Sequence, residues 1–140
     1  MKTFNEWWDI FRNRNIIGID EDIINYDYNS LTNEQIRRLV GRNNYTEVID
    51  KAFRQFCLWM QKGDIVMVGI GQTTRFNIAG IFVVTGDYIF QEGPNPRHIR
   101  KIKSIKMFPT PRPLQRFGRA SRLELIDESD FIESVIDLIT

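Results

Sequence analysis

The chain has 140 residues, 42% of them hydrophobic and 26% charged, a balance that suits one globular domain and excludes wholesale disorder or a repetitive fibre. Its formal net charge of +1 conceals a segregation: residues 1–50 carry −3, residues 51–122 carry +10 and residues 123–140 carry −6. No apolar run reaches the length of a membrane span, the N-terminal residues lack the form of a secretory signal, and a lone cysteine, Cys57, excludes an internal disulfide. The expected setting is therefore the cytoplasm, with no membrane partner.

Thr3-x-x-Glu6 reads as a capping box, and Trp7, Trp8 and Phe11 follow at helical spacing, predicting a helix over residues 4–14. Ile16–Ile19 reads as a short buried strand, ended by Asp20-Glu21-Asp22. A loop with Tyr26 and Tyr28 leads to Thr32-x-x-Gln35, which caps a short helix through about Val40. Val48, Ala52, Phe53, Phe56, Trp59 and Met60 define one apolar face of a helix over residues 46–61, stopped by Gly63. The period then changes to two. Residues 64–70 and 77–85 are predicted strands, Gly86-Asp87 is a turn, and Tyr88-Ile89-Phe90 leaves it.

Residues 97–108 read as a strand whose alternation slips once, with Ile99, Ile102 and Ile105 three apart. Pro109, Pro111 and Pro113 alternate in an extended basic segment beyond it. A last strand is expected over residues 122–126, and Ser129 caps a helix through Ile139. The predicted class is α+β over residues 1–140 as a single domain, with a small, mostly antiparallel sheet curled into a partly open barrel and packed with helices.

Several chemistries are absent from the sequence. There is no Gly-Lys dipeptide for a phosphate-binding loop, and Gly69-x-Gly71 lacks a third glycine. His98 is the only histidine, which excludes a multi-histidine metal site and a Ser-His-Asp triad. Cys57 lies between Phe56 and Leu58 on the long helix and reads as a packed, inert thiol. Three consecutive acids at residues 20–22 point in alternate directions on an extended chain, so no metal site is expected there. No catalytic residue and no cofactor is predicted.

The segments Lys62-Gly63-Asp64-Ile65-Val66-Met67-Val68, Ile78-Ala79-Gly80-Ile81, Val84-Thr85-Gly86-Asp87-Tyr88 and Arg97-His98-Ile99-Arg100-Lys101-Ile102 carry a more specific signal. Together with Trp8, Ile16–Ile19 and Phe56-x-x-Trp59, they resemble the EVE-like (PUA/YTH-related) DNA-reading domains of McrBC-type modification-dependent restriction systems. The likeness runs over about residues 4–108 and departs at Ser104 and at residues 20–22, where the family often has aromatic side chains. It implies a non-enzymatic module that recognises a modified base in double-stranded DNA by flipping it into an aromatic pocket. It also implies a GTP-driven motor domain or subunit elsewhere.

On that reading the base-pocket candidates are Tyr88, Asp87, Tyr26, Tyr28, Trp7 and Trp59. Phosphate-binding candidates come from the block between Arg97 and Arg122, which has nine Lys or Arg and no acid. They are Arg97, His98, Arg100, Lys101, Lys103, Lys106, Arg112, Arg116, Arg119 and Arg122. Two alternatives stand beside the DNA reader: a reader of methylated RNA, and a protein-interaction module in which the acidic tail docks a partner.

Overall fold

A computed structural model describes residues 4–20, 24–41, 44–72, 75–92, 96–114 and 129–139. The chain is α+β, with a curled antiparallel sheet forming a half-barrel between helices. Helix α1 spans Phe4–Arg14 and runs into strand β1, Ile16–Ile19. Asn15, at φ 51, makes the reversal between them. Tyr28–Ser30 is a single 3-10 turn, and α2, Asn33–Val40, starts at the predicted capping box of Thr32 and Gln35.

Helix α3, Asn44–Arg54, does not continue to residue 61 as a regular α-helix. It widens into a π-helical turn, Gln55–Trp59, closed by the Met60 N–H on the Gln55 carbonyl at 2.8 Å. The inward face of this segment differs from the expected one. Ile49, Ala52, Phe53, Phe56 and Cys57 are buried, whereas Val48 and Trp59, expected on the apolar face, are 62% and 55% exposed. Gly63 ends the segment at φ +95, where an L side chain would be strained, and its N–H reaches the Val84 carbonyl.

Strands β2, Ile65–Gln72, and β3, Arg75–Val84, pair as an antiparallel hairpin. Strand β4, Ile89–Phe90, is short, and β5, His98–Leu114, is the longest element. The sheet order is β1-β5-β3-β2, with β4 also on β5. The predicted slip in β5 is a register shift: Phe82 faces Ser104 and Ile81 faces Lys106, leaving Ile105 as the extra, exposed residue. The strand also continues past Phe108, where the sequence suggested only an extended segment. A second shift sets residues 108–111 against Ala79, so Pro109 and Pro111 fall where the ladder is interrupted; pairing resumes with Arg112 on Ile78. The expected strand over residues 122–126 lies outside the described residues.

Residues opposite one another in an antiparallel pair share a face, which divides the sheet into two cores. One face contributes Phe82 and Ile102 to a cluster with Ile17, Tyr28, Ile36, Phe53, Phe56 and Tyr88. The other contributes Ile78, Ile81 and Phe108, covered by Val135 of α4, Ser129–Ile139. Among the described residues no helix is long and apolar enough to cross a membrane.

Gly80 permits the first core to close. A Cβ there would stand 2.7 Å from the Trp8 ring and 2.9 Å from Phe82, and the two rings meet edge to face at 5.8 Å. Gly80→Ala is therefore expected to cost about 1–3 kcal/mol through overpacking. Urea unfolding followed by tryptophan fluorescence measures the loss; an unchanged midpoint would mean that Trp8 moves aside freely.

Candidate functional site

The tight turn after β3 carries Thr85, Gly86, Asp87 and Tyr88 to the side of β5, where the Thr85 and Gly86 N–H groups both donate to the Lys101 carbonyl. Opposite this turn stands the π-helical turn of residues 55–59. Alternation along β5 turns His98, Arg100 and Ile102 toward the helices. These two polar side chains build the space between the turns.

His98 is fully buried. Its Nε2 lies 2.8 Å from the Ile24 carbonyl, which can only accept, so Nε2 carries the proton and Nδ1 the lone pair. The Tyr88 hydroxyl donates to Nδ1 at 2.8 Å and accepts the Tyr28 N–H at 3.4 Å. Burial holds the His98 pKa below its ordinary 6.5, against the opposing pull of the Ile24 carbonyl and Asp20. Burial also raises the Tyr88 hydroxyl, and it pushes the Cys57 thiol up to about 12. The thiol is therefore un-ionised at neutral pH, as a packed cysteine is.

Arg100 is 4% exposed and makes three bonds, each to a backbone carbonyl: Nε to Phe56 at 2.8 Å, one terminal nitrogen to Cys57 at 3.1 Å, the other to Gly86 at 3.3 Å. One guanidinium thus joins the π-helical turn to the β3–β4 turn. Between the two opens a cleft of about 580 Å³, lined by Asn29, Cys57, Leu58, Met60, Gln61, Lys62, Asp87, Tyr88 and Arg100. Lys62 and Asp87 pair at 3.4 Å, and both side chains are exposed.

Of the base-pocket candidates, Asp87 and Tyr88 line this cleft. Tyr88 does so with little of its ring, which is 6% exposed and stacks on His98 with 5.8 Å between centroids. Tyr28 belongs to the core: its hydroxyl donates to Asp50 at 2.8 Å, and Asp50 accepts from Arg54 at 2.7 Å. Tyr26 is half-buried and tilts against the Tyr28 ring. Trp7 packs on Phe11 within α1, and Trp59 stands exposed beside the cleft residues Leu58 and Met60.

The phosphate-binding candidates divide more sharply. His98 is buried with both ring nitrogens committed to the protein, Arg100 is buried with three of its five N–H groups on backbone carbonyls, and Arg97 binds Asp20 at 2.8 Å. All three side chains are held inward by the protein, away from a phosphate backbone that would run over the exposed face of β5. Lys106 donates to the Leu138 carbonyl at 2.7 Å, at the end of α4, where a cation suits the helix dipole. Lys101 and Lys103 are exposed on β5, and Arg112 is exposed with its guanidinium over the Phe108 ring. Arg116, Arg119 and Arg122 lie outside the described residues.

Asn29, Gln61 and Lys62 were not singled out by sequence reasoning. Lys62 stands in one of the quoted motif segments, without a role assigned to it there. The parity of residues 98, 100 and 102 would have revealed that the first two face inward with Ile102.

Residues 3–122 match the family described as Domain of unknown function (DUF8426), and the chain belongs to that family. No curated protein and no solved structure matches it.

His98 makes the fold sensitive to acid. Its lowered native pKa means that below pH 6.5 the unfolded chain binds a proton that the folded chain resists, so stability falls as pH falls. The His98 contribution to that slope is expected to approach about 1.4 kcal/mol per pH unit at most. Urea midpoints between neutral pH and pH 5 measure it, and His98→Gln should flatten the profile. An identical slope in the variant would assign the acid sensitivity to other groups.

Proposed function

We propose that this family member is a non-catalytic module that reads a modified base in duplex DNA, receiving the flipped nucleotide in the cleft between the π-helical turn and the β3–β4 turn. The observation that carries this reading is the continuity of the cleft with exposed basic backbone. Lys101 holds the turn whose next residues, Asp87 and Tyr88, line the cleft, and Lys103 follows on the same strand. At about 580 Å³ the cleft lies within the range of small-molecule pockets, roughly 300–1,000 Å³. Asp87, Asn29 and Gln61 supply the acceptors and donors that a base edge requires.

In this reading Lys101 and Lys103 position the duplex and the cleft selects the nucleotide. Extruding a base costs a few kcal/mol, roughly what contacts in a fitted pocket return. A GTP-driven motor, as in the restriction systems the sequence resembles, would supply any DNA processing from outside these residues.

The decisive experiment compares a duplex with one modified base, its unmodified twin and the matching RNA. Tighter binding of the modified duplex supports the reading, equal binding of both duplexes or of neither overturns it, and preference for the RNA replaces it with an RNA reader. The variant Lys101→Ala/Lys103→Ala should make the slope of log K against log salt shallower by up to about 1.8, as two phosphate contacts contribute about 0.9 each. The preference for the modified base should survive. An unchanged slope would remove both lysines from the interface.

A further inference from the structure

We propose that the floor of the cleft is an anion site, in which the buried Arg100 guanidinium, with Lys62 at the rim, holds the phosphoryl group of a nucleotide. The inference shares the cleft with the duplex-reading proposal but does not depend on it.

A guanidinium has five N–H donors. Arg100 spends one from Nε and one from each terminal nitrogen on the carbonyls of Phe56, Cys57 and Gly86, which leaves one N–H on each terminal nitrogen. All three partners are neutral. Among the described residues no carboxylate lies within ion-pair distance of Arg100, although it is 4% exposed and lines the cleft. Removing a charge from water is costly unless an opposite charge replaces the lost solvent. Burial accordingly pushes the Arg100 pKa down, while Asp87 and Asp64 raise it from a distance. An anion in the cleft supplies the missing counter-charge, and the two remaining terminal N–H groups are charged donors free to bind it.

The other groups around the cleft fit the same ligand. The Lys62 ammonium stands 3.4 Å from Asp87 and is exposed, so it is held loosely enough to turn to an incoming anion. The Asn29 and Gln61 amides line the wall and can donate. Asp64 is occupied with the Gln61 N–H at 2.8 Å, and Asp87 carries its own cation in Lys62. The volume of about 580 Å³ exceeds what a phosphate needs alone and leaves room for an attached nucleoside. That phosphoryl group has two sources: the backbone of an extruded nucleotide, or a free mononucleotide.

The test titrates the full chain with inorganic phosphate, thymidine 5′-monophosphate and thymidine at constant ionic strength, read by calorimetry and by thermal midpoint. Phosphate and the monophosphate should saturate and raise the midpoint, as a ligand of the native state does, and thymidine should do neither. Lys62→Ala, an exposed position, should weaken the monophosphate roughly three- to fivefold. Arg100→Met, checked for folding by circular dichroism, should weaken it at least about tenfold, as expected for charged hydrogen bonds. If it does not fold, Lys62→Ala alone decides. No saturable binding of either phosphorylated probe at millimolar concentration overturns the site, and so does unchanged affinity in Lys62→Ala. A duplex arm separates the sources. Parallel losses on duplex and monophosphate in Lys62→Ala identify backbone phosphate, and a loss on the monophosphate alone identifies a free nucleotide. A chain that binds the monophosphate but no duplex supports the anion site and overturns the duplex reader.

Discussion

The architecture around the cleft depends on one desolvated charge. Arg100 reaches from the middle of the sheet to carbonyls that their own elements leave open, two in the π-helical turn and one in the turn after β3. A helix end has carbonyls without internal partners, and burying them unsatisfied is costly. The guanidinium answers this need at residues 56 and 57 and secures Gly86 in the same stroke. The planar group thereby ties the widened helix to the β3–β4 turn, which the Lys101 carbonyl holds from the other side.

His98 performs a related task one turn of pleat away. It links Ile24 in the loop after β1 to Tyr88 at the start of β4, and Tyr88 passes the connection on to the Tyr28 backbone. Each polar atom in this relay from Ile24 through His98 and Tyr88 to Tyr28 has a partner of the correct sense, which makes a buried polar network worth retaining. A single strand therefore carries two kinds of polar residue. Its inward positions hold the fold together with donors, and Lys101 and Lys103 leave positive charge on the surface.

Much of this was legible in the sequence, and the failures share a cause. The capping box at Thr32, the helix over 4–14, the hairpin strands and the slip in β5 all depend on neighbours within a few residues, where periodicity and turn chemistry act. The fates of Arg97, His98 and Arg100 depend on Asp20, Ile24 and Phe56, tens of residues away in the chain. Counting charge along a segment treats them as surface. Trp59 lies in the π-helical turn, a departure from regular helix that a 3.6-residue period does not register, and it stands exposed there. Asp87 and Tyr88 were found because a tight turn at a sheet end is a local feature with a positional consequence.

The register of β1 has a consequence for the order in which the molecule can assemble. Ile16 faces Lys101 and Ile19 faces His98, so partners in this ladder are 79 to 85 residues apart. The entropy of closing so long a loop must be met before the ladder's hydrogen bonds return anything, whereas the β2–β3 hairpin closes over a few residues. During synthesis β1 emerges early and has no strand to pair with until residue 98 has been added. Through that interval its Ile16-Ile17-Gly18-Ile19 edge is an unsatisfied strand, the kind of segment on which nascent chains associate wrongly. The aromatic helix directly before it and the acidic run directly after it flank that edge during the wait.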